Sequence, residues 1–328
     1  MSPIDVKQDL SLLKTGQVRV PRYVLITPAY NEAAHIEKTI QSVIAQSILP
    51  LKWIVVSDGS TDETDDIVAR YTPLWRFIQL LRVEKRHGHS FASKVFAFNR
   101  GLELLHDTTF DFIGNLDADV SFGPKYFADL FEKFDQDSTL GVAGGGIYEW
   151  DGSAYRARKG NTTSDVAGAV QLFRRQCWDA VGGFLPLRYG GEDWCTQLTA
   201  RMNKWRVRCF SELEVRHHRP AGKTGGLRYW TRQGMMDYDL GSHPVIELGR
   251  LLRRIHHYPP VLGATARLCG FLTGYWRREK RTVSIEVVRF LRSEEGAKLW
   301  QTFAKALGRV SPRRRTRRSS EVTEKGGQ

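Results

Sequence analysis

The sequence predicts an α/β protein in which a mostly parallel sheet is flanked by helices and followed by a helical C-terminal region. In the N-terminal half, short apolar runs alternate with segments of helical periodicity, and polar, acidic and glycine residues cluster where the apolar runs end. From Ala221 onward the alternation stops and longer helical stripes follow. Alternating strands and helices of this kind are typical of parallel sheets with right-handed crossovers.

The first predicted strand is the apolar run Tyr23–Thr27, and Pro28 is expected to end it. Asn31 is a residue type that favours the N-cap of a helix. Apolar residues then repeat at helical spacing from Ile36, which predicts a helix as far as about Ser47.

The second and third predicted strands are Trp53–Val56 and Phe77–Leu81. Ser60 and Glu63 between them have the spacing of a capping box, which predicts a helix that begins there. The segment Ser93–Leu105 is the next predicted helix. These elements extend the strand–helix alternation up to the fourth strand.

The fourth predicted strand, Phe110–Leu116, ends in two carboxylates, Asp117 and Asp119. In an extended chain, side chains two positions apart point to the same side. Ligands of open α/β sheets bind at the carboxyl ends of the strands. Two converging carboxylates repel each other unless a cation lies between them, and a divalent ion that also holds phosphate oxygens suits this position. The alternative is a solvated acidic turn.

The phosphate-binding fingerprint G-x-G-x-x-G does not follow the first strand, which disfavours a dinucleotide-binding fold of the usual kind. Asp58 ends the second strand in a glycine-containing turn. Its carboxylate could accept a hydrogen bond from a nucleobase N–H, or it could stabilise the turn itself.

The composition of the chain indicates which binding partners and which cellular compartment are expected. The 328 residues carry a formal net charge of +13, which favours an anionic partner such as a nucleotide, a phosphorylated lipid, a membrane surface or a nucleic acid. No signal peptide and no stretch long enough to span a membrane is recognised, so we expect a cytoplasmic protein. Four cysteines without metal-ligand spacing are interpreted as buried thiols in a reducing compartment: Cys177, Cys195, Cys209 and Cys269.

Five short motifs follow one another between about residues 20 and 220. They are Pro28-Ala29-Tyr30-Asn31-Glu32, Asp58-Gly59-Ser60, Lys94-x-x-Ala97-x-Asn99-x-Gly101, Asp117-x-Asp119, and Gly182-Gly183-Phe184 followed by Gly191-Glu192-Asp193-Trp194. This combination resembles family 2 glycosyltransferases of the GT-A fold, with a Rossmann-like nucleotide-binding half. The resemblance implies inverting transfer of a sugar from a nucleotide-diphosphate donor, most often a UDP-sugar, with Mg²⁺ or Mn²⁺ on the diphosphate.

The resemblance also implies roles for single residues on the donor side. It places Pro28, Tyr30 and Glu32 in the nucleoside pocket, Asp58 against the base, Lys94 near the diphosphate, and Asp117 at the ribose or the sugar. It makes Asp119 a metal ligand together with Asp117. One departure is Val120, because many relatives have a further acidic residue there, and this puts the donor-sugar contacts in doubt.

On the acceptor side, the resemblance makes Asp193 the general base and places Gly183, Glu192 and Trp194 near the acceptor. Because Asp193 also lies in the first turn of a predicted helix, its alternative role is to stabilise the helix N-terminus. A metal ligand from His217 or His218 is a further hypothesis, and an ordinary surface histidine is the alternative.

The chain is predicted to divide into an N-terminal arm (1–20), a GT-A catalytic domain (21–220), a helical region (221–308) and a basic disordered tail (309–328). In the helical region, the stripe within Val245–Ile255 and the apolar segment Val261–Trp276 predict helices that lie on anionic lipid, or an appendage packed on the catalytic domain. The run Arg313–Arg318 would add attraction to lipid head groups, or belong to a solvated tail.

The predicted function is sugar transfer to a hydroxyl of a lipid-linked or polysaccharide intermediate, with the protein peripheral on the inner face of the cell membrane. A sugar-nucleotide transferase is one alternative, but it would carry a glycine-rich basic loop after the first strand, and Pro28–Glu32 has none. A nucleic-acid-binding protein is the other, and it leaves the acidic site unexplained. We therefore expect a nucleotide-sugar donor and a glycan or glycolipid acceptor, and no nucleic acid.

Overall fold

The computed structural model describes residues 20–84, 92–158, 160–219, 226–255 and 259–306. Its strands form one sheet in the order β3-β2-β1-β4-β8-β6-β9-β5, with β7 paired to β6. The strands are β1 (Tyr23–Ala29), β2 (Lys52–Asp58), β3 (Ile78–Val83), β4 (Phe112–Leu116), β5 (Val120–Phe122), β6 (Leu140–Trp150), β7 (Tyr155–Ala157), β8 (Val170–Arg174) and β9 (Arg206–His217).

The sheet is mainly parallel. Strands β3, β2, β1 and β4 are parallel neighbours, and so are the two long strands β6 and β9. Strand β8 runs antiparallel between β4 and β6, and the short strands β5 and β7 are antiparallel to β9 and β6. This confirms the predicted fold class, and it brings the carboxyl ends of β1, β2 and β4 to one edge.

Helices cover both faces of the sheet. They are α1 (Ile36–Ile44), α2 (Thr64–Tyr71), α3 (Ser93–Glu103), α4 (Tyr126–Gln136), α5 (Arg175–Val181) and α6 (Glu192–Met202). Along β1, Tyr23 and Leu25 join the core under α1, α2 and α4, whereas Val24 and Ile26 join the core on the side of α3 and α5. Burial on both faces explains why this strand is a continuous apolar run rather than an alternating one.

Three local predictions at the strand ends are wrong. Pro28 does not end β1, because β4 pairs with β1 only as far as Ile26 and the missing N–H of Pro28 costs no ladder hydrogen bond to β4. Asn31 is not an N-cap: it has a φ of +53°, and its Oδ1 accepts a hydrogen bond from the Thr61 N–H at 2.8 Å. Ser60 forms no capping box, because its Oγ accepts instead from the Asn31 N–H at 3.2 Å. The two loops are thereby tied together.

Four helices follow the sheet: α7 (Leu227–Leu240), α8 (Pro244–Arg254), α9 (Leu262–Trp276) and α10 (Ile285–Ala306). Leu198 of α6 packs in one apolar cluster with Leu240 of α7 and with Val287, Val288 and Leu291 of α10. The C-terminal helices are therefore attached to the helix that begins at Glu192. The predicted boundary at residues 220 and 221 stays a prediction.

A buried ionic network holds α7, α8, α9 and α10 together. Arg267 contacts Asp237 at 2.6 Å, and Arg250 contacts Glu295 at 3.0 Å and also pairs with Glu247. Burial and the neighbouring Asp237 raise the pKa of Glu247, although both arginines oppose this shift. Helix α8 therefore turns its charged side inward.

The outward side of α8 is apolar. Val245, Leu248 and Leu252 are 56%, 52% and 65% exposed, whereas the buried residue of this helix is Glu247. The apolar stripe that the sequence predicts for α8 is thus largely on the surface. No helix of the described residues combines the length and apolar character that a membrane crossing requires.

The remaining sequence predictions concern the cysteines and the termini. Cys177, Cys195 and Cys209 are buried free thiols, but Cys269 is exposed, because it does not lie on the side of α9 that packs into the bundle. The predicted N-terminal arm lies outside the described residues except for Val20, and so do the basic tail and the run Arg313–Arg318.

Candidate active site

A cleft at the carboxyl edge of the sheet consists of two adjoining cavities that share Lys94 and Asp117. The β1-side cavity has a volume of about 280 Å³, and the α6-side cavity has a volume of about 360 Å³. All the residues predicted for the donor and the metal, apart from the two histidines, line the β1-side cavity: Pro28, Tyr30, Glu32, Asp58, Lys94, Asp117 and Asp119. The α6-side cavity is lined by Asp193, Trp194 and His217, among others.

This convergence follows from the sheet. Pro28 and Asp58 lie at the ends of the parallel strands β1 and β2, and Asp117 follows β4, which pairs with β1 on its other side. Side chains that are distant in sequence therefore meet at one edge. Lys94 reaches the same place from the first turn of α3, which packs against β1 and β2.

Asp117 has a cationic partner that the local sequence does not reveal. The Lys94 Nζ lies 2.6 Å from Asp117 Oδ1. Although burial opposes the charged form of Lys94, the carboxylates of Asp117, Glu192 and Asp193 raise its pKa. Helix α3 thus supplies a cation beside Asp117, which reduces the repulsion between this carboxylate and Asp119.

Asp119 is the buried carboxylate of the pair, with 7% of its surface exposed. His217 Nε2 lies 3.3 Å from Asp119 Oδ1, and Arg219 Nε lies 3.7 Å from Oδ2. Burial alone would raise the pKa of Asp119, but the hydrogen bond and charge of His217, together with Arg219 and Lys94, lower it. Asp119 is therefore held as a carboxylate.

The pairing of β5 with β9 decides which histidine reaches the carboxylates. Val120 lies opposite His217 in this antiparallel pair, so the imidazole of His217 comes beside Asp119. His218 lies elsewhere, with its ring nitrogens 3.0 Å from the Tyr155 hydroxyl and 2.9 Å from Ser121 Oγ. Of the two hypothetical ligands, only His217 is in place.

Asp119 and His217 fit one divalent ion. Two neighbouring ligands of an octahedral ion are about 3 Å apart, and the Nε2 and Oδ1 atoms have a similar separation of 3.3 Å. The Nδ1 atom of His217 is buried without a hydrogen-bond partner among the described residues. The described residues contain no group of three or more His, Cys, Asp and Glu side chains that could hold a metal. Phosphate oxygens and water would have to complete the shell, as is common for Mg²⁺.

Asp193 lies in the first turn of α6. The N-cap of this helix is Gly191, which adopts a left-handed conformation with a φ of +91°. The Trp194 N–H donates to Asp193 Oδ1 at 2.8 Å. The Asp193 carbonyl accepts from Gln197 Nε2 at 3.1 Å and from Gln171 Nε2 at 3.4 Å. The carboxylate lines the α6-side cavity and also contacts the helix N-terminus, so both roles expected for it are compatible with its position.

The segment before β8 fixes where the Asp193 carboxylate can lie. A Cβ atom on Gly168 would be 2.5 Å from Asp193 Oδ2. The Gly168 carbonyl accepts a hydrogen bond from Asn115 Nδ2, and Gln197 Oε1 accepts from the Val166 N–H at 2.7 Å. A larger residue at position 168 would therefore require either this segment or the Asp193 side chain to shift.

The three predicted acceptor-side residues are not all in the cleft. Trp194 lines the α6-side cavity. Glu192 instead lines a void of about 10 Å³ beside Phe98 and Phe184, where burial and then the charge of Asp193 raise its pKa. Gly183 lies on another side of α6, outside both cavities, where an added Cβ would be 3.3 Å from the Trp178 ring.

Sequence reasoning missed several residues of the cleft. Arg219 pairs with Glu32, and Arg158 lines the α6-side cavity. Because the chain has 49 Lys and Arg residues, the sequence does not indicate which arginines lie in the cleft. Gln197 was equally hidden, because a glutamine within a helix has no distinctive pattern.

Comparison with solved structures defines the class of protein. The chain resembles the mannosyltransferase PcManGT from Pyrobaculum calidifontis, solved with GDP-Man and Mn²⁺, with a TM-score of 0.51 and 18% identity over 89% of this chain and 84% of that one. At this identity the likeness shows the fold alone, which is that of GT-A glycosyltransferases.

The family follows from the sequence match. The model of glycosyl transferase family 2 matches residues 24–189, and the chain belongs to this family. It is 25% identical to a hyaluronan synthase from Pasteurella multocida over 51% of this chain and 17% of that protein. It is 33% identical to TuaG of Bacillus subtilis, a putative teichuronic acid biosynthesis glycosyltransferase, over 34% of this chain and 40% of that protein. The chain thus spans less than half the length of both relatives.

Proposed function

We propose that the protein transfers a sugar, with inversion, from a nucleotide-diphosphate donor to a hydroxyl of a lipid-linked or polysaccharide acceptor. A UDP-sugar is the donor that we favour. One observation carries the proposal: the predicted donor residues line one cavity, and that cavity adjoins the one that contains Asp193. Family membership favours this function over a sugar-nucleotide transferase or a nucleic-acid-binding protein.

The β1-side cavity would hold the nucleotide. Tyr30 and Asp58 would contact the nucleoside, with the Asp58 carboxylate accepting from the base. Of the described residues, Lys94 and Arg219 are the cations that line this cavity, and they would face the diphosphate. Asp119 and His217 would hold Mg²⁺ or Mn²⁺, which supplies Lewis-acid stabilisation of the negative charge on the leaving diphosphate.

The α6-side cavity would hold the acceptor. A hydroxyl is a poor nucleophile until a base removes its proton in the transition state. The Asp193 carboxylate lines this cavity, and its orientation is held by the Trp194 N–H. Inversion requires the base to lie on the face of the sugar opposite the leaving group, and Asp193 and Asp119 line different cavities. Trp194 would provide an apolar wall for the acceptor sugar.

The metal is tested by calorimetry. We expect UDP to bind more tightly with Mn²⁺ or Mg²⁺ than with EDTA, and Asp119→Asn to remove most of that difference, because an amide is a weaker ligand than a carboxylate. The matched control is Asp66→Asn, an exposed carboxylate on α2 that lines neither cavity. Equal UDP affinity with and without metal in the unmodified protein would remove the proposed metal site.

A further inference from the structure

The charged side chains that line the α6-side cavity are nearly all paired. Lys94 pairs with Asp117, and His217 lies beside Asp119. Asp165 contacts Arg201 at 3.4 Å and accepts hydrogen bonds from the hydroxyls of Thr162 and Ser164. Two charged groups remain: the Asp193 carboxylate, to which a role as base is assigned above, and the Arg158 guanidinium.

Arg158 forms no ion pair with any carboxylate of the described residues. The internal segments outside them, 85–91, 159, 220–225 and 256–258, contain no Asp or Glu that could serve instead. A half-buried guanidinium without an anion has lost hydration and gained no counter-charge, which is unfavourable unless a ligand supplies the anion. Among the described residues, the guanidinium of Arg158 is therefore the cation of this cavity that has no carboxylate partner.

The backbone of Arg158 is firmly placed. Its N–H donates to the Ile147 carbonyl on β6 at 2.8 Å, and its carbonyl accepts from the Asn161 N–H at 3.0 Å. Asn161 is held in turn, because its Nδ2 donates to the same Ile147 carbonyl at 2.9 Å. The arginine is therefore anchored on the edge of the sheet, in the same cavity as Asp193 and Trp194.

We propose that Arg158 binds an anionic group of the acceptor, a carboxylate or a phosphate, while Asp193 receives the proton of the acceptor hydroxyl. This inference rests on the proposed function and specifies its acceptor class. A guanidinium binds either anion through two parallel hydrogen bonds, which fixes orientation as well as charge. Arg158 lines only the α6-side cavity, whereas Asp119 and Arg219 line the β1-side cavity and Lys94 lines both, so Arg158 is the cation expected to face the acceptor rather than the diphosphate.

The first test compares acceptor analogues that differ in charge. With UDP and Mn²⁺ present, binding of methyl β-glucuronide and methyl β-glucoside, and of sn-glycerol 3-phosphate and glycerol, is measured by NMR titration. We expect at least one anionic probe to bind about ten- to a hundredfold more tightly than its neutral counterpart, which is the usual strength of a charged hydrogen-bonded pair. Equal affinities within both pairs, or no binding by any probe, would overturn the inference.

Three variants test whether Arg158 causes the preference for anionic over neutral probes. Arg158→Gln should abolish the preference for the anionic probe. Arg158→Lys should keep part of this preference, because the positive charge remains but bidentate hydrogen bonding is lost. The control Arg156→Gln should leave it unchanged, because Arg156 pairs with Asp151 and lines neither cavity. Discrimination that survives in Arg158→Gln would overturn the proposal.

The second test separates the acceptor from the donor as the source of the anion. Affinities for UDP-glucuronate and UDP-glucose are compared in the same variants. If Arg158→Gln changes only the preference between these donors, the anion belongs to the donor sugar and the inference is wrong. Metal-dependent UDP affinity is measured separately, because it tests the proposed function itself. Metal-dependent UDP binding without discrimination among acceptor probes would contradict the role of Arg158 alone.

Discussion

At the scale of single residues, most charges of the cleft other than Asp193 and Arg158 are paired with opposite charges among the described residues. Lys94 compensates Asp117, His217 lies against Asp119, and Arg219 pairs with Glu32. An anionic diphosphate that enters the β1-side cavity would compete with these carboxylates for the same cations. Donor binding should therefore be sensitive to protonation of these groups.

The Asp193 carboxylate gives the sharpest catalytic prediction. Asp193→Asn keeps the size of the side chain but cannot accept a proton, so we expect transfer to fall by roughly two to four orders of magnitude. UDP affinity should stay nearly constant, since Asp193 does not line the β1-side cavity. The measurements are the transfer rate with an identified acceptor and UDP affinity by calorimetry.

Glu192→Gln is the matched control for this prediction. Its carboxyl group lines the small void beside Phe98 rather than the cleft, so its effect on transfer should be milder. Near-parental turnover by Asp193→Asn would place the base elsewhere. Loss of UDP affinity or of folding would instead show that Asp193 serves the helix N-terminus.

Glu32 predicts a pH dependence of donor binding. Burial, reinforced by Asp119 and Asp117 and opposed by Arg219, raises the pKa of Glu32 to about 7. Below this pH the side chain is neutral and Arg219 is available to the diphosphate. Above it, Glu32 is charged, repels the diphosphate and retains Arg219. Affinity for UDP-glucose in EDTA should therefore fall about three- to tenfold as the pH rises through this range.

Calorimetry across this pH range checks the prediction. UDP-glucose is suitable because its diphosphate does not titrate there. The variant Glu32→Gln stays neutral, so its affinity should depend less on pH. The remaining slope would come from His217, because burial lowers the pKa of this imidazole but the hydrogen bond and charge of Asp119 outweigh burial and raise it. A slope that is equally steep in Glu32→Gln would assign the titration to another group.

At the scale of elements, the contact between α6 and the segment before β8 positions the base. Gly168→Ala would bring a Cβ within 2.5 Å of Asp193 Oδ2, so either the carboxylate or the segment must shift. A displacement of about 1 Å can lower a rate by about a hundredfold. We expect transfer to fall by this order while UDP affinity is retained, as measured by transfer assays and calorimetry.

Gly123→Ala is the control for this substitution. The added Cβ at Gly123 would meet no atom within 4 Å, so the same chemical change should leave the transfer rate unaffected. If Gly168→Ala keeps the parental rate, the segment accommodates the methyl group without moving Asp193, and its positioning role is refuted.

At the scale of the whole molecule, the C-terminal helices present an apolar surface to the outside. On α8 this surface consists of Val245, Leu248 and Leu252, with the exposed Arg253 beside it. At the end of α9, Trp276 is 82% exposed and is followed by Arg277. Exposed apolar side chains flanked by arginine and tryptophan suit the interface of an anionic bilayer. We propose that this surface contacts membrane lipid.

Sedimentation with vesicles tests this surface. The protein should bind vesicles that contain phosphatidylglycerol at low salt and be released at high salt, because attraction between exposed charges is screened. Leu248→Glu should weaken binding by about tenfold, the usual value of burying one leucine. Leu74→Glu, at a leucine 72% exposed near the end of α2, should have no effect. Absence of binding at low salt would contradict the proposal.

The sequence alone determined those features that depend on neighbouring residues. Strands buried on both faces are continuous apolar runs, so β1, β2 and β4 were recognisable, and the parallel sheet followed from their alternation with helices. Because Asp58 ends one strand and Asp117 directly follows another, their convergence at one edge was also predictable. The motifs around Pro28 and Lys94 added further members of the β1-side cavity, but not Arg219.

The tertiary structure alone decided which side chains meet across long sequence separations. The register between β5 and β9 places His217 rather than His218 beside Asp119, and a shift by one residue would reverse that choice. The packing of α3 on the sheet brings Lys94 to Asp117. The orientation of α8 depends on partners for Glu247 and Arg250 that come from α7, α9 and α10. An amphipathic pattern predicts that a helix has a polar side and an apolar side, but only the neighbouring helices determine which side is buried.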